Sequence, residues 1–120
     1  WAFIIVGNRK EGNKNVRTIL SVYETVVDRK KIKFKKVIKW DFNKNAFMPA
    51  DFSSLIKKSY RLKWIAKTYG LSITELKEEM QKRAEFLSKL VNEKVLDFLD
   101  VSSEIRKFYS GGGVVEKVIQ

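Results

Sequence analysis

The sequence predicts an α+β fold: N-terminal antiparallel strands forming a hairpin, followed by a bundle of three to four helices. Three observations predict it. Up to residue 42, β-branched and aromatic side chains recur with strand-like alternation. Beyond Pro49, apolar residues recur at helical spacing. The two kinds of segment are segregated along the chain, which marks α+β rather than an alternating α/β pattern. The predicted division is a β hairpin part over 1–42 and a helical part over 50–120, within one domain.

Ala2 to Val6 is an apolar run of strand length bounded by Gly7, suited to a buried strand or a sheet edge. Gly7 to Asn15 is polar and rich in Gly and Asn, which predicts a loop. Val16 to Val27 has the β-branched and Tyr content of a strand. Asp28, Arg29 and Lys30 form the turn. In Ile32 to Trp40, alternation puts Ile32, Phe34, Ile38 and Trp40 on one face and Lys33, Lys35 and Lys39 on the other. That pattern predicts a half-buried strand with a basic outer face, whose lysines discourage edge pairing. Asp41 to Asn45 is a turn.

The helical half follows. Leu62, Ile65 and Ala66 share a stripe that Gly70 terminates. Ser72-Ile73-Thr74-Glu75 has the form of a capping box, with Leu71 and Leu76 placed as its hydrophobic staple. The helix it opens is expected to reach about Asn92 and to bury Leu76, Met80, Ala84, Leu87 and Val91. A further helix is expected from near Asp97 to Tyr109, with Val101, Ile105 and Phe108 inward. Gly111 to Gly113 reads as a flexible link, and Val114 to Ile119 as a last short helix.

Composition narrows the chemistry. The 120 residues contain no Cys and no His. Disulfides, thiolate metal sites, Cys nucleophiles and His-based acid–base catalysis are therefore excluded. No apolar run approaches the about 20 residues needed to span a bilayer as a helix. The chain opens at Trp1 without Met, which suggests a segment excised from a longer protein. The net charge of +11 predicts attraction to anionic partners: nucleic acid, acidic lipid headgroups or an acidic protein face.

Local patterns offer few sites. Gly7 and Gly12 have the glycine separation of a P-loop, but Asn13 and Lys14 stand where Lys and Ser or Thr belong. Asp41, Asn43 and Asn45 begin like a calcium loop, yet Ala46 replaces the sharp-turn Gly and Phe52 the closing Glu. Glu75, Glu78 and Glu79 fit a solvated first turn of the long helix, where the macrodipole favours acids. The six lysines of 30–39, interleaved with Phe34 and Trp40, suit nucleic acid by composition. The alternation counts against that use, because it puts the aromatics on the face opposite most of the lysines.

A string of positions nonetheless resembles the C-terminal region of archaeal pilus and archaellum assembly ATPases of the type II/IV secretion superfamily. The positions are Arg17, Glu24, Lys39-Trp40-Asp41, Phe47, Ser59-Tyr60, Leu62, Ile65-Ala66, Gly70-Leu71-Ser72, Glu75, Arg83, Leu87, Ile105 and Phe108-Tyr109. Thr18 departs from a frequent second Arg, Ser21 from a frequent acid, and Gly111 to Gly113 from a more polar segment. The resemblance implies a strand extension of a RecA-like sheet followed by a helical subdomain. The ATP- and magnesium-binding machinery would lie upstream, on a part of the parent absent from this sequence. It also implies a cytoplasmic hexamer at the inner face of the membrane, coupled to a polytopic membrane platform. This chain would be non-catalytic alone, with no catalytic, cofactor or metal residue of its own. Arg17 is the one candidate near nucleotide, and Lys33, Lys35 and Lys39 are candidates for an anionic partner. The alternative is a freestanding basic nucleic-acid-binding domain.

Overall fold

A computed structural model describes residues 2–111. The α+β architecture is as expected: a four-stranded antiparallel sheet precedes four helices. By its internal contacts the chain divides into two compact units, Trp1–Trp64 and Ile65–Gln120. The boundary falls inside a helix, so the first unit contains the sheet together with the helical turns that follow it.

In the first unit the sheet order is β1 (Ala2–Glu11), β2 (Lys14–Asp28), β3 (Lys31–Asp41) and β4 (Ala46–Met48). The expected loop over Gly7 to Asn15 is not a loop. β1 continues through Glu11, which pairs with Lys14, and only Gly12 and Asn13 turn the chain. Ladder hydrogen bonds are made by the backbone, so a polar sequence at an edge can stay extended. Gly12 has φ of 62°, which a first turn residue of this hairpin type requires. Gly7 lies within the strand. A Cβ there would sit 2.5 Å from the Leu20 side chain, so this glycine makes room for Leu20.

The second hairpin turns at Arg29 and Lys30, with φ of 48° and 65°. Two positive φ angles define the turn that Asn-Gly normally fills, because other L-residues crowd their own carbonyls there. The double substitution Arg29→Asn and Lys30→Gly is expected to stabilise the chain by about 1 kcal/mol, after allowing for the extra unfolded-state freedom of Gly. The check is a rise in the urea midpoint with unchanged slope.

Two bulges decide which side chains share a face. Leu20 is inserted opposite Ile5/Val6, and Val37 opposite Val22/Tyr23. Tyr23 pairs with Lys36 and Val22 with Ile38. Adjacent residues of β2 point to opposite faces, so the expected single row of Ile32, Phe34, Ile38 and Trp40 breaks at Val37. Ile38 and Val22 line a recess with Phe52 and Leu55. Ile32 and Phe34 pair with Val27 and Thr25 and stay exposed, contrary to their expected core position.

The helix α1 (Phe52–Lys58) is capped by Asp51, whose carboxylate accepts the Ser54 amide at 3.0 Å. Its Ile56 is buried. The next helix, α2 (Tyr60–Thr68), begins in the first unit and contributes buried Ala66 to the second.

In the second unit, α3 (Ile73–Asn92) opens with the capping box expected of it. Ser72 Oγ accepts from the Glu75 amide at 3.0 Å, and the Glu75 carboxylate accepts from the Ser72 amide at 3.1 Å. The inward stripe, however, is rotated from the expected one. Leu76, Glu79 and Leu90 are buried and Phe86 is half-buried, while Leu87 and Val91 are exposed. The stacked ring contact of Phe86 with Phe108, at 4.6 Å between centroids, accompanies this phase. The last helix, α4 (Phe98–Ser110), is capped by Asp97 and keeps Val101, Ile105 and Phe108 half-buried, as its spacing predicts. Gly112, Gly113 and the helix expected at 114–119 lie outside the described residues.

Candidate functional site

The open sheet of the first unit is the most distinctive surface. β1 is a terminal strand of the sheet, so its outer backbone edge faces away from β2. Its first half is apolar on both faces. Phe3, Ile4, Ile5 and Val6 are 50%, 58%, 47% and 51% exposed. A strand apolar on both sides is the signature of a sheet interior, whereas solvent-facing edges usually carry charge, Pro or a very short strand. The opposite edge obeys that rule, since β4 is only three residues long.

One face of this sheet carries a cluster of exposed rings. Phe3 pairs with Tyr23 across the β1–β2 ladder and meets Phe34 edge-on at 5.5 Å. Phe34 is 61% exposed. Lys36 places its ammonium 5.4 Å from the Tyr23 ring centroid. The other face is occupied by the start of the helical segment. There Glu24 of β2 is buried, and its carboxylate accepts from Ser59 Oγ and from the Tyr60 amide at 2.9 Å. It also lies 3.3 Å from the Arg61 amide, while Ser59 Oγ accepts from the Leu62 amide at 3.0 Å. The carboxylate therefore caps α2 together with Ser59, satisfying amides that a helix start leaves open.

The three lysines singled out by alternation do not form one row. Lys33 and Lys35 pair with Val26 and Glu24, and Lys39 pairs with Ser21. Because Glu24 and Ser21 lie on opposite faces of β2, the register separates Lys39 from Lys33 and Lys35. Lys33 is already engaged, 2.9 Å from Asp28 across the turn. Arg17 is exposed and pairs with Asn8 of β1. It shares the cationic half of the β1–β2 hairpin with Lys10 and Lys14. Arg9 in that half lies 5.0 Å from the Trp40 ring centroid and 3.6 Å from Glu11.

The other candidates resolve locally. Gly7 is a ladder residue and Gly12 a turn residue, so the P-loop-like spacing does not fold into one loop. Asp41 accepts from the amides of Asn43 at 2.9 Å and Lys44 at 3.1 Å, closing its own turn. The Lys44 amide bond, followed by that of Asn43, holds the Asp41 carboxyl below its usual range against an opposing desolvation. Glu79 is not on a solvated face: it is buried, with Lys82 at 3.5 Å and Arg83 at 3.4 Å on the same helix. Among the described residues no group of three or more acids forms a metal-binding cluster.

Sequence reasoning missed both the open aromatic face and the Glu24 cap. The available signal for the first was the absence of any charge from Ala2 to Val6. No local signal exists for the second, because Glu24 and Ser59 are far apart in the chain. No protein-family model matches the sequence, and no curated protein matches it.

Proposed function

We propose that this chain is a non-catalytic assembly element of a hexameric pilus- or secretion-type ATPase, working in the cytoplasm at the inner face of the membrane. It would contribute subunit contacts and coupling to a membrane platform, while the parent's ATP and magnesium sites lie elsewhere. The observation that carries this reading is the apolar strand Ala2–Val6 at a sheet edge that no other described strand covers. A protein that ends its sheet in water conceals or charges such an edge, whereas an element that completes a larger sheet leaves it apolar. The resemblance of most of residues 16–110 to the assembly ATPases suggests the particular parent. No helix among the described residues is long and apolar enough to cross a membrane.

Titration calorimetry of this chain with ATP and magnesium tests the reading directly. The expected result is no measurable heat of binding. Micromolar affinity accompanied by turnover would overturn the non-catalytic assignment.

A second reading has a specific observation in its favour. Phe34 is exposed beside Phe3, Lys36 lies on the same face near the Tyr23 ring, and the Val37 bulge brings Lys39 to that face. Exposed rings with adjoining cations can stack and hold single-stranded nucleic acid. Lys36 and Lys39 thus share the ring face, while Lys33 and Lys35 stay on the opposite one. A salt-dependent mobility shift with mixed-sequence oligonucleotides would favour this alternative, and no shift at low salt would end it.

A further inference from the structure

We propose that the outer edge of β1, which no other described strand covers, accepts a further antiparallel strand from an acidic protein segment, apolar opposite Ala2–Val6 and acidic opposite Lys10. This rests on the reading of the chain as an assembly element and specifies the surface used.

Four features point to strand addition rather than to contact with a face alone. β1 is long, at ten residues, while the other edge strand has three. Ala2 to Val6 contains no charge and no Pro, the two devices that normally block edge pairing. Phe3 and Ile5 lie on one face and Ile4 and Val6 on the other, all about half exposed. An added strand would cover part of each, because side chains of neighbouring strands meet on both faces. Backbone pairing would also satisfy the outward N–H and C=O groups, giving affinity, while alternate side chains supply selectivity. The existing sheet is wholly antiparallel, and an antiparallel addition continues its ladder geometry.

Charge selects the occupant. The second half of the hairpin carries Lys10, Lys14 and Arg17, all exposed, and the chain as a whole carries +11. A second copy would bring the same cations and is repelled at long range. A segment with acidic residues at its N-terminal end places them opposite Lys10 when it runs antiparallel to β1. Rim charges of this kind set orientation and discriminate among partners.

The test uses two synthetic peptides added to the chain. One has the sequence Glu-Glu-Ser-Thr-Val-Ile-Val-Ile-Val, whose first Glu stands opposite Lys10 and whose last five residues stand opposite Val6 to Ala2, and the other replaces both Glu by Lys. Hydrogen exchange at single-residue resolution is read for the amides of Ala2–Val6, with affinity from titration. The expected result is protection of alternate amides in Ala2–Val6 by the acidic peptide, with affinity about tenfold or more above that of the Lys peptide at low salt. Ile4→Lys, at an exposed position, should abolish the protection while the remaining amides keep their exchange rates. Lys10→Glu should reverse the preference between the peptides. Equal binding of both peptides, or protection confined to residues of the Phe34 face, overturns the proposal. So does concentration-dependent self-association that protects the same amides without peptide. If peptide binding fails while ATP binding is also absent, strand addition is wrong and the assembly reading stands. If ATP is bound and turned over, that reading falls whatever the peptides do.

Discussion

Glu24→Ala is expected to lower the unfolding free energy by about 2–4 kcal/mol, the range for removing a buried charged acceptor and leaving its donors unpaired. The carboxylate is only 4% exposed and takes hydrogen bonds from Ser59 Oγ and the Tyr60 amide, with the Arg61 amide at longer range. These donors open α2, so the truncation uncaps the helix and cuts the link between β2 and the chain that follows α1. Ser59 would keep its own acceptor role toward the Leu62 amide, which limits the damage. Glu24→Gln retains one carbonyl acceptor but points an amide group at donors, so its cost should be smaller than that of Ala. Tryptophan fluorescence during urea unfolding measures both, because Trp40 and Trp64 lie in the same compact unit as Glu24. A loss under about 0.5 kcal/mol for Glu24→Ala, within the range of ordinary surface substitutions, would mean that water and Ser59 cap α2 adequately.

The contrast between Glu24 and Ser72 shows what a sequence discloses here. The Ser72 cap depends on a partner three residues away, so the local pattern contains the whole interaction. The Asp97 start of α4 is legible for the same reason. Glu24 depends on residues 35 to 37 positions distant, and nothing near it in the chain announces them. The bulges are hidden differently. Alternation assumes an unbroken register, and one inserted residue at Val37 transfers every later side chain of β3 to the other face. That single event puts Ile38 and Trp40 on the face opposite Ile32 and Phe34, and divides Lys39 from Lys33 and Lys35. In α3 the apolar residues admit two inward stripes offset by a small rotation. The observed one includes Glu79, whose charge argues against choosing it until its neighbours Lys82 and Arg83 are seen. The candidate strand at Ala2–Val6 was visible as an apolar run, but whether it lay inside a sheet or at its edge depended on strand order, which period alone does not encode.

Ile56→Ala should produce the other large loss. Ile56 is 1% exposed, and with Val37 it makes up the buried apolar residues described in the first unit. Truncating a fully buried Ile to Ala costs about 2–5 kcal/mol, through lost transfer energy and the cavity left behind. The upper half of that range is not required for a severe outcome, because a domain of this size typically has only about 5–15 kcal/mol in all. The sheet also leaves Phe3, Ile4, Ile5 and Val6 about half in water, so apolar area that would support the fold is not fully used by the chain alone. The Trp40 unfolding transition should therefore shift down by at least about 8 °C in Ile56→Ala. Ile56→Val, which removes one methyl, should cost about 0.5–1.5 kcal/mol and shift it less. If the acidic strand peptide occupies β1, it should raise the midpoint of Ile56→Ala as well as that of the parent chain, since a ligand of the folded state stabilises it by mass action. Recovery by the acidic peptide and not by its Lys counterpart would link the weak core of this unit to the strand that completes its sheet. A midpoint unmoved by Ile56→Ala would instead show that α1 contributes little to holding the sheet, and that the open edge is tolerated by a fold stabilised elsewhere.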